Sequence, residues 1–259
     1  MNAILEVKGL TKRFGGLVAV NDVSFAVKEK EILSVIGPNG AGKSTLFKLI
    51  ASFLTPTSGE VVFDGQRISG LAPHIVARKG VVRTFQETTI FKGMTVRDNV
   101  IVAHHLRAKA SLLGCYIGTS IARQDQEEFG RSADEILDFL GLGHQRNEVA
   151  QNLPHGHLRA LGIAIGLATE PKILLLDEPF AGMNHDETVK AVEMVRAVRD
   201  RGVTVLLVEH DMPAVMNISD RIVVINFGQK IAEGTPKEIQ ENEKVIEAYL
   251  GAEDETIGY

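Results

Sequence analysis

The nine residues Gly37-Pro38-Asn39-Gly40-Ala41-Gly42-Lys43-Ser44-Thr45 set glycines, a lysine and hydroxyls at the spacing that can wrap a chain of phosphates. Glycine lets backbone N–H groups converge on phosphate oxygens, and a helix starting there adds partial positive charge. Lys43 is then a mobile point charge for the terminal phosphates, and the Ser44 hydroxyl is placed to ligate Mg²⁺. A plain turn between a strand and a helix needs neither the Gly-Lys-Ser triplet nor glycines at these offsets.

A second chemical cluster follows far along the chain. Leu174-Leu175-Leu176 delivers Asp177 and Glu178 to the carboxyl end of an apolar strand, where open α/β sheets bind ligands. Neighbours on an extended chain point oppositely, so the two acids are expected to divide the work. Asp177 would hold the hydration shell of Mg²⁺, and Glu178 would orient or deprotonate an attacking water. His210 ends the next strand and is expected to hydrogen-bond a γ-phosphate. Gln86 follows Val81-Val82-Arg83-Thr84-Phe85 and is placed to touch Mg²⁺ or water and to sense the γ-phosphate; the spacing alone carries little weight.

The elements that must position these groups are legible as punctuation and period. Ile4–Val7, Val18–Val27 and Ile32–Ile36 read as β segments, and Pro56-Thr57-Ser58-Gly59 turns the chain into a further strand over 60–65. Together they predict an antiparallel sheet beside a nucleotide core. Over 95–169 apolar residues recur at helical spacing, as at Ala133, Ile136, Leu137 and Leu140, which predicts an inserted helical subdomain. Lys172–Asp177 and Val203–Val208 resume the strands around a helix over 186–201, whose acidic start and basic end suit its dipole. Arg221–Ile225 and Gln229–Ala232 read as a hairpin about Phe227-Gly228. The expected fold is thus α/β: a phosphate-loop NTPase core (1–94 and 170–259) with an antiparallel β subdomain and an inserted helical subdomain (95–169), one domain over 1–259.

Composition narrows the class. With 44% hydrophobic and 24% charged residues, the 259-residue chain can bury a sizeable core. A net charge of −5 without a polybasic run gives no field for DNA or RNA, so no nucleic-acid partner is expected. The start Met1-Asn2-Ala3-Ile4-Leu5-Glu6 lacks a basic n-region, no apolar run reaches the ~20 residues of a membrane helix, and the single cysteine, Cys115, permits no internal disulfide. A cytoplasmic protein is expected, and any transport role would work through separate membrane-spanning chains.

The order of phosphate loop, Gln86, a glycine-containing helix start near residue 153, Asp177-Glu178 and His210 resembles the nucleotide-binding subunit of ATP-binding-cassette (ABC) transporters over almost the whole chain. The resemblance implies an ATPase using ATP and Mg²⁺, with Phe14 stacking on adenine and Val20 beside it. It implies that Ala181-Gly182-Met183-Asn184 crosses to a second protomer, and that the segment Pro154-His155-Gly156-His157 caps the γ-phosphate held by that protomer. This segment departs from the usual Leu-Ser-Gly-Gly-Gln: the serine hydroxyl is gone, and His155 and His157 are either replacement donors or solvent-facing loop residues. Phe14, on its own and without the resemblance, reads first as a strand-end core residue. The wording Arg83-Thr84-Phe85-Gln86, Glu209-His210-Asp211-Met212 and Val245-Ile246-Glu247-Ala248-Tyr249-Leu250-Gly251 is similar to the first ATPase subunit of branched-chain amino-acid importers. That similarity implies a paired second ATPase, two membrane permeases, an extracytoplasmic solute-binding protein acting indirectly, and a peripheral place on the cytoplasmic face of the inner membrane. The alternatives are a low-turnover nucleotide-binding regulatory subunit, motivated by the altered segment, and a non-transport ABC ATPase acting on nucleic acid or ribosomes.

Overall fold

A computed structural model describes residues 3–84 and 90–254, with side chains through 249; Gln86 lies outside the described residues. The chain packs as two compact units, Met1–Arg83 with Lys172–Ala181 and Thr188–Tyr259, and Thr84–Pro171 with Gly182–Glu187. The strands of the first unit are β1 (Ala3–Phe14), β2 (Leu17–Lys28), β3 (Ile32–Ile36), β4 (Ser58–Phe63), β5 (Gln66–Arg67), β6 (Val81–Arg83), β7 (Ile173–Asp177), β8 (Thr204–Val208), β9 (Arg221–Asn226) and β10 (Gln229–Gly234). They form an antiparallel sheet in the order β2-β1-β4-β5 and a second sheet in the order β10-β9-β3-β8-β7-β6. In the second sheet β9, β3, β8, β7 and β6 run parallel, and β10 closes the edge as an antiparallel hairpin strand.

Every residue of β3, β7 and β8 is buried, which is why each reads as a mostly apolar run, broken only by Ser34, Asp177 and Thr204, rather than as an alternation. Strand alternation still sorts side chains between two faces. On β9, Val223 and Ile225 join a core with Leu5, Val7 and Leu10 of β1 and with Leu46, Phe47, Leu49 and Ile50, while Ile222 and Val224 join Val215, Ile239 and Val245 on the other side. Helix α1 (Lys43–Ile50) therefore packs its apolar face on the sheet that supplies the phosphate loop. The first strand is longer than the sequence pattern indicates. Gly9 at φ 55 sits within a register shift between Val7 and Leu10, so a bulge interrupts the period of two while the pairing with β2 continues to Phe14↔Leu17.

The remaining helices in chain order are α2 (Pro73–Arg78), α3 (Val96–Ala103), α4 (Leu112–Ile117), α5 (Ser120–Phe139), α6 (His155–Leu167), α7 (His185–Asp200), α8 (Met212–Ile218), α9 (Pro236–Gln240) and α10 (Glu243–Asp254). In the second unit α3, α5 and α6 pack on one another through Val96, Val100, Ala133, Leu137, Leu161 and Ala164, all buried. Arg97 clasps Asp134 through Nε and Nη2 at 2.9 and 3.0 Å, fixing α3 against α5 with a two-pronged bond. No helix among the described residues is long and apolar enough to cross a membrane.

His104 carries a pH dependence in this unit. It has no exposed surface, stacks on Phe129 at 5.0 Å, and bonds the Val100 carbonyl (2.9 Å) and the Ser132 hydroxyl (3.0 Å). Burial holds its pKa below the ordinary value of 6.5, with the Val100 carbonyl pulling the other way. A base depressed in the folded state contributes stability at pH above its unfolded value and loses it as pH falls through its folded value. Thermal unfolding from pH 7.5 to 5.0 should therefore lower Tm by a further ~2–4 °C in the wild-type chain than in His104→Gln, and parallel curves for the two would remove His104 as the cause.

Candidate functional site

The phosphate-loop residues sit between the end of β3 and the start of α1, and their geometry is that of an anion cradle. A Cβ on Gly37 would lie 2.0 Å from the Ile225 carbonyl oxygen, and one on Gly42, at φ 101, would lie 2.3 Å from the Ala19 carbonyl oxygen. The loop thus lies directly against backbone. α1 begins on Gly42 with no side-chain cap, so its first-turn N–H groups, those of Lys43, Ser44 and Thr45 among them, have no intrahelical partner. Asn39, Gly40 and Ser44 are exposed, Thr45 is half-buried, and Ala41 is buried against the core. Lys43 is buried, and its ammonium donates to the carbonyls of Gly37 (2.6 Å) and Pro38 (2.9 Å). Burial lowers its pKa, and the charges of Glu178 and Asp177 oppose that shift.

Parallel pairing of β6, β7 and β8 brings the distant residues to the same sheet edge. Asp177, the last residue of β7, is buried and accepts from Arg83 Nη2 of β6 at 2.5 Å. Glu178 departs from the expectation that it would simply point opposite to Asp177. The strand has ended, its φ is 51, and its N–H donates to the Val208 carbonyl at 2.8 Å, so a left-handed turn aims its side chain. That turn sets Glu178 Oε1 3.0 Å from His210 Nε2.

Glu209 joins the two strand ends from below. It is 3% exposed and accepts the N–H groups of Phe180 and His210 at 2.7 Å each, which fixes the turn carrying Glu178 to the turn carrying His210. Burial raises its pKa, opposed by those backbone donors and that of Asp211. Neither Glu209 nor Arg83 is singled out chemically by the sequence. The signal available was a charged residue at each strand's carboxyl end, which gains meaning only once strand order is known.

Phe14 is 45% exposed at the tip of β1, with Lys12 Nζ 5.1 Å over its ring, and is thereby a surface platform rather than a core residue. Val20 is different: at 1% exposure it belongs to the core behind the loop and offers a ligand almost no surface, a correction to its expected place beside adenine. In the second unit Pro154 is the N-cap of α6, and His155, Gly156 and His157 form its first turn without a side-chain cap. His155 is exposed. His157 is half-buried with its ring edge toward His144 (6.2 Å between centroids), and its Nδ1 has no hydrogen-bond partner among the described residues.

These donors fit a polyphosphate and a hard cation. The uncapped amides and the Lys43 ammonium are anion donors, and the Ser44 hydroxyl and Asp177 carboxylate are oxygen ligands of the kind Mg²⁺ takes when it arrives with phosphates. Among the described residues no three His, Cys, Asp or Glu side chains form a separate metal cage.

A family model described as ABC transporter matches residues 20–181, and one described as branched-chain amino acid ATP-binding cassette transporter matches 229–255. The chain is 48% identical to the high-affinity branched-chain amino acid transport ATP-binding protein BraF of Pseudomonas aeruginosa, over 96% of this chain and 98% of that protein. It is 45% identical, with the same coverage, to the similarly described LivG of Escherichia coli K12. A nucleotide-free ATP-binding cassette from an ABC transporter superposes with a TM-score of 0.85 at 32% identity, over 96% of this chain and 99% of that one. A dimeric cassette in a post-hydrolysis state, bound to ADP and Pi, superposes with a TM-score of 0.75 at 25% identity, over 90% and 98%.

The cradle geometry makes two neighbouring glycines unequal. Gly42→Ala forces both a left-handed φ and a backbone clash, and should cost about 2–4 kcal/mol in urea unfolding. Gly40→Ala, at φ 78 with nothing within 4 Å of its Cβ, should cost only about 1–2 kcal/mol. Equal losses would show that the loop does not press on Ala19 as described.

Proposed function

The chain belongs to the ABC transporter family, and we infer that it is the Mg·ATP-hydrolysing subunit that energises an importer of branched-chain or other hydrophobic amino acids. The observation that carries this reading is the convergence of Lys43, Asp177, Glu178 and His210 at one sheet edge, in a chain 48% identical to a branched-chain amino-acid transport ATPase. EC class 7 activity, ATP and water to ADP and phosphate coupled to transport, follows from that membership.

In this reading Phe14 stacks on the base, an interaction worth ~1 kcal/mol. The amides of Asn39 to Thr45 line the phosphates, and Lys43 exchanges the carbonyls of Gly37 and Pro38 for phosphoryl oxygens. Bound Mg²⁺ would neutralise charge on those oxygens, held by Ser44, Asp177 and Gln86. Glu178 orients and deprotonates the attacking water, and His210, already bonded to Glu178, holds that carboxylate and the γ-phosphate in register. The first turn of α6, with Pro154, His155, Gly156 and His157, caps the nucleotide of a second subunit, where the Nδ1 of His157, without a hydrogen-bond partner among the described residues, is a further partner. That second ATPase subunit, identical or paralogous, two membrane permeases and, indirectly, an extracytoplasmic solute-binding protein are the partners. The place of work is the cytoplasmic face of the inner membrane, as a peripheral subunit.

Lys43→Ala should weaken Mg·ATP binding at least ~10²-fold in calorimetry, and undiminished affinity would reject the cradle. Glu178→Gln should keep affinity while lowering kcat by about 10²–10⁴ and should trap a dimer on a sizing column with ATP. A monomer with normal turnover would reject the role of Glu178.

A further inference from the structure

Arg83 has no part in the chemistry just described, yet it occupies the acid that this chemistry needs. On parallel strands Arg83 pairs in register with Leu175, and Asp177 lies two positions further along β7 on the same face as Leu175. The guanidinium therefore reaches one step diagonally toward the sheet's carboxyl edge and meets Asp177 Oδ2 at 2.5 Å. Both side chains are nearly closed to solvent, 10% exposed for Arg83 and 7% for Asp177, so the pair is a desolvated one. Lys43 stands close enough for Asp177 and Glu178 to oppose the lowering of its pKa by burial.

Charges of both signs already meet at this edge: Arg83 bonds Asp177, and Lys43 lies within electrostatic reach of Asp177 and Glu178. A divalent cation next to Asp177 changes that arrangement, because it brings two further positive charges beside a guanidinium already bonded to one carboxylate oxygen. Like charges in a site of low dielectric repel strongly, and one of the two must yield its share of Asp177.

We propose that Arg83 is the resting partner of Asp177: it holds the carboxylate in place in the nucleotide-free protein and is exchanged against magnesium when Mg·ATP binds. Arg83 is then a positioning residue, acting through Asp177, that sets how much magnesium nucleotide binding requires and leaves the grip on the phosphates to the loop. The inference rests on the reading of Asp177 as the magnesium-facing acid. Because bond exchange replaces bond creation, removing the competitor should make the site more avid for the cation while leaving the empty protein with an uncompensated charge.

The test measures ATP binding by calorimetry across a magnesium titration and in excess EDTA, together with Tm in each state, on the full chain. In Arg83→Met the magnesium concentration for half-maximal enhancement of ATP binding should fall by roughly fivefold or more. Its Tm should fall in EDTA and recover most of the loss in Mg·ATP, and adding Asp177→Asn to it should restore the Tm in EDTA by removing the stranded charge. Should Arg83→Met not fold, Arg83→Lys carries the same measurement, since a shorter-reaching cation competes less well; a fall of about twofold or more is expected there. Asp177→Asn alone separates the two layers of inference. If it abolishes the magnesium dependence while both Arg83 variants keep the wild-type midpoint, Arg83 is not the competitor and the proposal is overturned with the site reading intact. If Asp177→Asn leaves the magnesium dependence unchanged, the reading of Asp177 fails and the proposal falls with it.

Discussion

Everything at this site depends on holding unlike charges close together in a place water barely reaches. Lys43, Arg83 and Asp177 are buried or nearly so, and each is costly there unless a partner is in place. The chain meets that constraint by standing the acids at the ends of fully buried parallel strands, where neither backbone nor side chain has room to wander. Lys43 is braced by two carbonyls of its own loop, Asp177 by a guanidinium, and Glu178 by an imidazole. Each charged group is thus positioned before any nucleotide arrives, which is the condition for electrostatic stabilisation at the moment of reaction.

The same constraint bears on two of the positive-φ backbone positions, Gly42 and Glu178. Gly42 must be glycine because the loop lies against the Ala19 carbonyl with a left-handed φ, and only that approach leaves the first amides of α1 facing outward. Glu178 adopts φ 51 although it is not glycine, and the bond from its N–H to Val208 together with the Glu209 clamp on Phe180 and His210 over-determines that conformation. Strain of about 1–3 kcal/mol at such a residue is sustained by three hydrogen bonds that do not involve its side chain. The turn is thus held without using the Glu178 carboxylate, which instead meets His210.

What could be seen in the sequence was whatever is local. The glycine-lysine-serine run, the apolar strand ending in Asp177-Glu178 and the hairpin about Phe227-Gly228 are each written in a few consecutive residues, and the strands and turns formed there. What could not be seen was set by pairing across the sheet. Arg83 and Asp177 are 94 positions apart, and nothing in either neighbourhood announces the other until β6 is placed beside β7. Glu209 was hidden for the same reason, since the amides it accepts come from two different strand ends. Val20 was misplaced because a residue near an exposed aromatic need not share its exposure: on β2 it faces the core.

The altered helix start of α6 fits the same physical logic by another route. Losing a serine there removes a hydroxyl but neither the helix dipole nor the uncapped amides, which provide most of what an anion finds at such a terminus. The two histidines of this segment differ in setting: His155 is exposed, whereas His157 is half-buried, in a T-shaped contact with His144, with a ring nitrogen that no group in its own unit satisfies among the described residues. A buried ring nitrogen without a partner is a standing cost that a phosphoryl oxygen would relieve if the imidazole carries its proton there. The departure from the usual serine-containing segment therefore leaves the helix start with its uncapped amides and with one half-buried imidazole three positions beyond the lost hydroxyl.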